Sequence, residues 1–431
     1  MDLTTSNLQM RYRELAGTVR WRLTHLKARY HRSRCNTTQF IAIVGSNGKT
    51  TTKELTAAIL STRYQVHKTR GNNNALKESG VEVSLLGTNT NDDFAVLEAG
   101  INAPGQMARL AEIMRPHAAI MLCVRPAHIR GFGSLEAIAR EKGVIFDYLQ
   151  PDGIGIVNAD DEYVMNEATR RTIELRTFGT DPACDICLLK ADSRWPERLT
   201  LTVRIDGTEH IIRTQLLGKH WVSSVLAALA AGTHFGVGPE NCAKAIESVP
   251  PFWGRMQPAT LSNGVTFVRD EIHGDKHNFE VAFDFIGNAT AKRKVLLASS
   301  YASEESSRAR MENLGRYAAA LFDYAIFIGD RGNYAIRAAV ESGMQPENMV
   351  AFYKYQEAVD HLRSELRDGD LVLLKGRMDM HLSRLYLSMM GDVGCTIKSC
   401  SNTFLCDGCH KVNFKPTQPV TGPIAPRDSN V

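Results

Sequence analysis

The segment Gly45-Ser46-Asn47-Gly48-Lys49-Thr50-Thr51-Thr52 gathers the residue types that hold a chain of phosphates. Its glycines let backbone N–H groups approach phosphate oxygens, Lys49 can reach the β- and γ-phosphates, and the Thr50 hydroxyl is a hard oxygen ligand for Mg²⁺. The apolar run Phe40 to Val44 reads as a buried strand and the residues after Gly48 as a helix, which is the context such a loop requires. Gly45, Ser46, Asn47, Gly48, Lys49, Thr50 and Thr51 are therefore candidate nucleotide-binding residues. Ile43 stands where the longer GxxxxGK[ST] pattern has its first glycine, leaving the shorter GxxGKT form. A second candidate is the cluster Cys395, Cys400, Cys406 and Cys409, followed by His410, whose soft donors suit tetrahedral Zn²⁺. Only its last pair has a familiar metal-hairpin interval, and free thiols in a loose tail are the alternative. Cys184 and Cys187, interleaved with Ile186 and Leu188, read as strand residues.

Elements that could position these groups follow from the pattern of the 431 residues, more than one core usually organises. Strand-like runs at 94–97, 118–124 and 155–157 alternate with helical stretches, predicting a mostly parallel sheet. Pro250 and Pro251 interrupt that pattern, and strand-like runs at 265–268, 294–298, 324–328 and 371–374 open a smaller Rossmann-like unit. The expected fold class is α/β, with a phosphate-loop domain at 39–250 and a second α/β domain at 251–392. A basic amphipathic helix is expected within 1–38, its apolar residues Tyr12, Leu15, Val19, Leu23, Leu26 and Tyr30 docking on the body or meeting a partner or anionic surface. Residues 393–431, rich in cysteine and proline, are expected to lack regular structure.

Composition limits the function. With 51 Lys and Arg against 47 Asp and Glu, the chain has no overall charge for a nucleic-acid or membrane binder. No apolar run of about 18 residues and no secretory leader are evident, so cytoplasmic residence is the expectation.

Five ordered segments give the phosphate loop a family context. The loop with its threonine run resembles the ATP-binding loop of the Mur ligases, in particular the branch that adds D-alanyl-D-alanine. Gly71-Asn72-Asn73-Asn74, Leu97-Glu98-Ala99-Gly100, Pro126-Ala127-His128-Ile129-Arg130-Gly131, Ala139-Arg140-Glu141-Lys142-Gly143 and Asn158-Ala159-Asp160-Asp161 are similar to that branch's motifs and occur in its order. The resemblance implies an ATP- and Mg²⁺-dependent amide ligase that activates a carboxylate as an acyl phosphate for attack by an amine. It implies that Thr50 and Glu98 hold one Mg²⁺, that His128 helps hold a second, and that Lys142 becomes a metal ligand if carbamylated. Lys49 would neutralise phosphate charge, and Asn158, Arg255 and Asp270 would lie on the nucleotide. Arg255 belongs to an interdomain Gly-Arg pair, Asp270 and His273 to an Asp-x-x-His segment, and Lys375 to a Lys-Gly-x motif.

Departures from the family pattern matter as well. In Gly218-Lys219-His220-Trp221-Val222-Ser223-Ser224, Trp221 and Ser224 stand in place of two asparagines near the nucleotide. About 38 residues precede the first strand, too few for the family's UDP-sugar-binding domain, so a UDP-muramyl substrate is not expected. The acid and amine are expected to be a small molecule or peptide. A nucleotide-binding scaffold without ligase turnover is the competing reading, favoured by Trp221 and Ser224 and opposed by Glu98, His128 and Lys142.

Overall fold

A computed structural model describes residues 21–71, 80–126, 129–272, 274–397, 400, 405–417, 419 and 423–424. The chain forms two compact units. The first comprises Met1–Ala191, Thr200–Thr214 and Trp221–Val249; the second comprises Asp192–Leu199, Gln215–His220 and Pro250–Val431.

Within the first unit the described order is a helix over 21–34 (α1), β1 (Gln39–Val44), α2 (Lys49–Leu60), β2 (Val66–Lys68), α3 (Gly80–Leu86), β3 (Phe94–Glu98), α4 (Gln106–Met114) and β4 (Ala118–Met121). There follow α5 (Ile129–Phe132), α6 (Leu135–Gly143), β5 (Ile154–Asn158), α7 (Glu162–Thr169), β6 (Glu174–Gly179), β7 (Ile186–Asp192), β8 (Thr200–Ile205), β9 (Thr208–Arg213), α8 (Val222–His234) and α9 (Pro239–Ser248). The sheet order is β2-β3-β1-β4-β5-β6-β7-β8-β9. Pairings from β2 to β7 are parallel, which explains why β1, β3, β4 and β5 are almost wholly apolar and buried on both faces. The β8–β9 hairpin is antiparallel and alternates in burial. Asp206 and Gly207 turn it with positive φ at both positions, the backbone that an Asp-Gly hairpin turn needs.

Strand order reverses around β1, which has β3 on one side and β4 on the other. Such a switch opens a crevice at the strands' carboxyl ends. Ile43 pairs with Glu98, so β1 delivers its loop beside the end of β3.

Helix α1 docks differently from the expected stripe. Leu23, Leu26 and Tyr30 are more than half exposed, whereas Ala28 and Cys35 are buried in the first unit's core with Trp21 packed against it. Polar bonds choose this face: Trp21 Nε1 donates to Glu82 at 3.2 Å, His25 Nδ1 lies 3.3 Å from the same carboxylate, and Arg32 Nε donates to the Met114 carbonyl at 2.9 Å. Tyr12, Leu15 and Val19 lie outside the described residues. Cys184 also departs from expectation, because its N–H closes a turn onto the Asp181 carbonyl just before β7 begins.

The second unit contains β10 (Gln257–Thr260), β11 (Thr266–Asp270), α10 (Lys276–Gly287), β12 (Arg293–Ala298), α11 (Ser307–Leu321), β13 (Tyr324–Ile328), α12 (Gly332–Glu341), β14 (Met349–Phe352), α13 (Tyr355–Glu365), β15 (Asp370–Lys375), α14 (Ser383–Ser388), β16 (Gly391–Val393) and β17 (Phe414–Pro416). Its main sheet runs β10-β11-β15-β12-β13-β14, parallel except for β10.

The described residues of the C-terminal segment carry regular structure that its composition does not suggest. β17 pairs with β16, and Leu405, Cys406, Cys409 and Val412 are buried. Asp407 ties this segment to β11, accepting from Arg269 Nη1 at 2.5 Å and from Nη2 at 2.9 Å.

Candidate active site

The loop after β1 is braced from beneath by the segment after β4. Ser46 N donates to the Cys123 carbonyl at 2.9 Å, and Ser46 Oγ both donates to the Arg125 carbonyl and accepts from Arg125 N. Asp161 completes the brace, accepting from Val124 N and Arg125 Nη1 while capping α7 at Val164 N. Gly48 begins α2 at φ +84°, and a Cβ there would come within 2.9 Å of Ser224 Oγ. A side chain at this position would be strained and crowded together, so glycine is required. Ser224 donates to the Gly48 carbonyl at 3.3 Å, placing one departure from the family pattern directly against the phosphate loop.

Glu98, at the end of β3, collects two groups from one face of α2. Thr50 Oγ1 donates to Glu98 Oε2 at 3.3 Å, and Lys53 Nζ lies 3.2 Å from Glu98 Oε1. The side chains of Lys53 and Glu98 are both completely shielded from solvent. Lys53 also meets Glu54 at 2.9 Å and donates to the carbonyls of Thr69 and Gly71. A buried ammonium needs this many partners to offset its lost hydration. Sequence reasoning missed Lys53; the available signal was its three-residue spacing from Thr50, which puts both on one helix face.

Lys142 enters from α6, whose N-terminus is capped by Ser134. Its amine donates to the Gly45 carbonyl at 3.3 Å, and Lys49 donates to the same carbonyl at 2.9 Å and to that of Ser46 at 3.3 Å. Burial, reinforced by the charge of Lys49, pulls the Lys142 pKa down from 10.5 to about 7. This amine therefore gives up its proton far more readily than an ordinary lysine.

These residues fit a Mg²⁺-bound triphosphate. Thr50 and Glu98 supply adjacent hard oxygens, Lys49 supplies a cation on the loop, and the buried Thr51 hydroxyl has no hydrogen-bond partner of its own. His128, Asn72, Asn73, Asn74 and His273 lie outside the described residues. Among the described residues, no group of three or more His, Cys, Asp or Glu side chains is arranged to hold a metal ion as it stands.

Other expected site residues have local duties. Asn158 Nδ2 donates to the Leu122 carbonyl at 2.9 Å while its Oδ1 accepts from Asp160 N, so the side chain ties β5 to the segment after β4. In the second unit Asp270 accepts from Met256 N at 3.1 Å and forms a buried ion pair with Lys375, whose Nζ lies 4.8 Å over the Phe279 ring. Arg255 is buried in that unit. Cys395, Cys400, Cys406 and Cys409 are there too, lining one small cavity. No described helix is long and apolar enough to cross a membrane.

Comparison with known proteins extends these observations along the chain. Residues 43–232 match the Mur ligase middle domain, and residues 254–378 match the Mur ligase glutamate ligase domain. The UDP-N-acetylmuramoyl-tripeptide–D-alanyl-D-alanine ligase of Treponema pallidum is 30% identical over 350 residues, 80% of this chain and 73% of that protein. Its counterpart from Bacillus subtilis is 27% identical over 351 residues, 81% of this chain and 75% of that protein. The fold is similar to that of MurF from Acinetobacter baumannii, with a TM-score of 0.77 and 24% identity over 85% of this chain and 79% of that one. The MurF ligase from Thermotoga maritima, solved in complex with ADP, gives a TM-score of 0.71 and 20% identity over 86% and 83% of the two chains. With both domain matches and this extent of identity, the chain belongs to the Mur ligase family and is an ATP-dependent ligase that joins an acid to an amine.

Proposed function

We propose that the first unit holds Mg²⁺-ATP on the 45–51 loop and transfers the terminal phosphoryl group to a substrate carboxylate. The observation that carries this reading is the convergence of Thr50 and Lys53 on the shielded Glu98, with Lys49 and Lys142 meeting at the Gly45 carbonyl. Lys49 would swing from the loop carbonyls onto the phosphates, neutralising charge as it moves to the acceptor. Mg²⁺, held by Thr50, Glu98 and His128, would polarise the phosphate oxygens. Lys53 sets the balance at Glu98, leaving Oε2 turned to the Thr50 hydroxyl.

The unprotonated fraction of Lys142 is the form able to add CO₂ and become an anionic carbamate, which suits a metal-bearing site better than an ammonium does. An amine then attacks the acyl phosphate through a tetrahedral intermediate, releasing phosphate and forming the amide. Relatives are named for D-alanyl-D-alanine, and an amino acid or short peptide is the amine proposed here. The second unit has a cavity of about 470 Å³ whose lining includes Lys219, His220, Glu280 and Asp284. Its three carboxylates, Asp192, Glu280 and Asp284, face Arg194 and Lys219 across the lining, a mixed set suited to a zwitterionic amino acid or peptide. An ATP-consuming reaction and nine free cysteines fit a cytoplasmic setting. Thiols are too soft for Mg²⁺, so the C-terminal cysteines take no part in this chemistry.

Hydroxylamine trapping tests the proposal without knowledge of the amine. Candidate acids would be incubated with Mg²⁺-ATP and hydroxylamine, scoring ADP and hydroxamate together. Equal yields of the two, abolished in Glu98→Gln, are expected. ADP release without hydroxamate from any acid that stimulates it would remove the acyl phosphate from the mechanism.

A further inference from the structure

Nine cysteines are distributed along the chain, yet four of them line a single cavity of about 20 Å³ in the second unit. Cys395, Cys400, Cys406 and Cys409 reach it from a 15-residue stretch, beside His381, Arg384 and Lys411. That volume is about what one water-sized particle occupies. Thiol sulfurs gathered around so small a space have strong affinity for a soft or borderline cation.

The local backbone is formed for ligation at one corner. Cys406-Asp407-Gly408 is a single 3₁₀ turn, with Cys409 N donating to the Cys406 carbonyl at 3.0 Å and Gly408 N to the Leu405 carbonyl at 3.2 Å. Both cysteines of this Cys-x-x-Cys pair line the cavity. Ser383 Oγ accepts from Cys406 N, fixing the turn to α14. Arg384 Nη1 donates to the carbonyls of Cys395 and Ile397, holding the segment after β16 that carries the first cysteine. His381 links Cys400 to that turn: Nε2 lies 3.1 Å from the Cys400 carbonyl and Nδ1 lies 3.4 Å from Cys406 Sγ. With both ring nitrogens engaged, His381 orients ligands instead of serving as one.

We infer that Cys395, Cys400, Cys406 and Cys409 form a structural tetrathiolate site for one Zn²⁺ ion. The sulfurs stand around the cavity without yet being drawn to ligating distance, and the ion supplies the contraction. On binding, four thiols release four protons to solvent, giving a centre of net charge −2 that Arg384 and Lys411 offset from the cavity wall. The ion would also fix Asp407, which sits between two ligands and reaches Arg269 on β11, next to Asp270. Zinc thereby ties the C-terminal segment to the strand that carries the Asp270–Lys375 pair.

The test uses the full-length protein, purified without a metal-affinity step and kept reduced. Elemental analysis should find about one zinc per chain, released in step with thiol capture by a mercurial reagent. Exchange for Co²⁺ should give the intense visible bands of tetrahedral cobalt and a thiolate charge-transfer band. Both signatures should vanish in Cys395→Ser and in Cys406→Ser and persist in Cys242→Ser, whose thiol lies in the first unit. Failure of the wild-type protein to take up zinc against a chromophoric chelator, or weak octahedral cobalt bands, would overturn the inference. So would tetrahedral bands that survive Cys395→Ser and Cys406→Ser combined. The wild-type spectrum decides the matter even if the serine variants do not fold.

Discussion

Both units gather buried charge at the carboxyl ends of their central parallel strands, but they resolve it in opposite ways. In the second unit Arg269 is matched by Glu271 and Asp407, and Lys375 by Asp270, so the cations at the ends of β11 and β15 are met by carboxylates within the protein. In the first, burial and the neighbouring charge of Lys49 bring the Lys142 pKa down to about 7 while its amine donates to the Gly45 carbonyl, and the buried Thr51 hydroxyl is unsatisfied. Charge balance completed by the protein is a clamp, whereas balance awaiting an anion is a binding site.

The sharpest way to break this contrast is Lys49→Ala. Removing the cation on the loop should cut turnover by roughly 10³-fold or more and weaken Mg²⁺-ATP binding, with thermal stability nearly unchanged. Near-normal ADP release from this variant would mean that the first cluster is also only structural. The complementary test is Asp407→Asn, which leaves Arg269 one charge short inside the second unit and should cost roughly 3–5 kcal/mol in denaturant unfolding. Nucleotide affinity measured below the unfolding transition should hold.

Lys142→Met tests the unbalanced amine through pH. Below about pH 7 the folded and unfolded chains both carry the proton, and the folded state bears the full cost of a buried ammonium. From about 7 up to 10.5 only the unfolded chain carries it, so this contribution to stability rises with pH across that window. In metal-free, CO₂-depleted protein the variant should therefore gain roughly 2–4 kcal/mol over wild type at acid pH, shrinking toward zero as pH approaches the ordinary lysine value. A gain independent of pH would show that the amine is not desolvated. The smallest effect belongs to Ser224→Ala, which removes a donor to the Gly48 carbonyl and should weaken ATP binding by less than about tenfold in calorimetry.

Legibility followed sequence distance. The phosphate loop and its flanking strand and helix are contiguous, so their types alone predict their arrangement, and the runs at 40–44, 324–328 and 371–374 announce their strands as unbroken apolar stretches. Lys53 did not announce itself, because a lysine on an amphipathic helix reads as solvated until β3 brings Glu98 alongside. Asp407 was hidden for the same reason: its partner Arg269 lies 138 residues earlier, on β11. On α1 the apolar stripe misled, since Glu82, far along the chain, selects the face bearing Trp21 and His25. For Asn158 the family position was readable, while its bonds to Leu122 and Asp160 depend on how β4 and β5 lie together.

The second unit borrows Asp192–Leu199 and Gln215–His220 from inside the first unit's stretch of sequence. Leu217 sits in its core with Trp195 packed against it, and the Leu199 N–H is bonded to the Leu216 carbonyl. A gene cut between Val249 and Pro250 would thus yield a C-terminal fragment lacking those segments and an N-terminal one carrying two internal segments without their core. Because five backbone crossings thread the pair, inheritance and engineering must treat them as one piece of cloth.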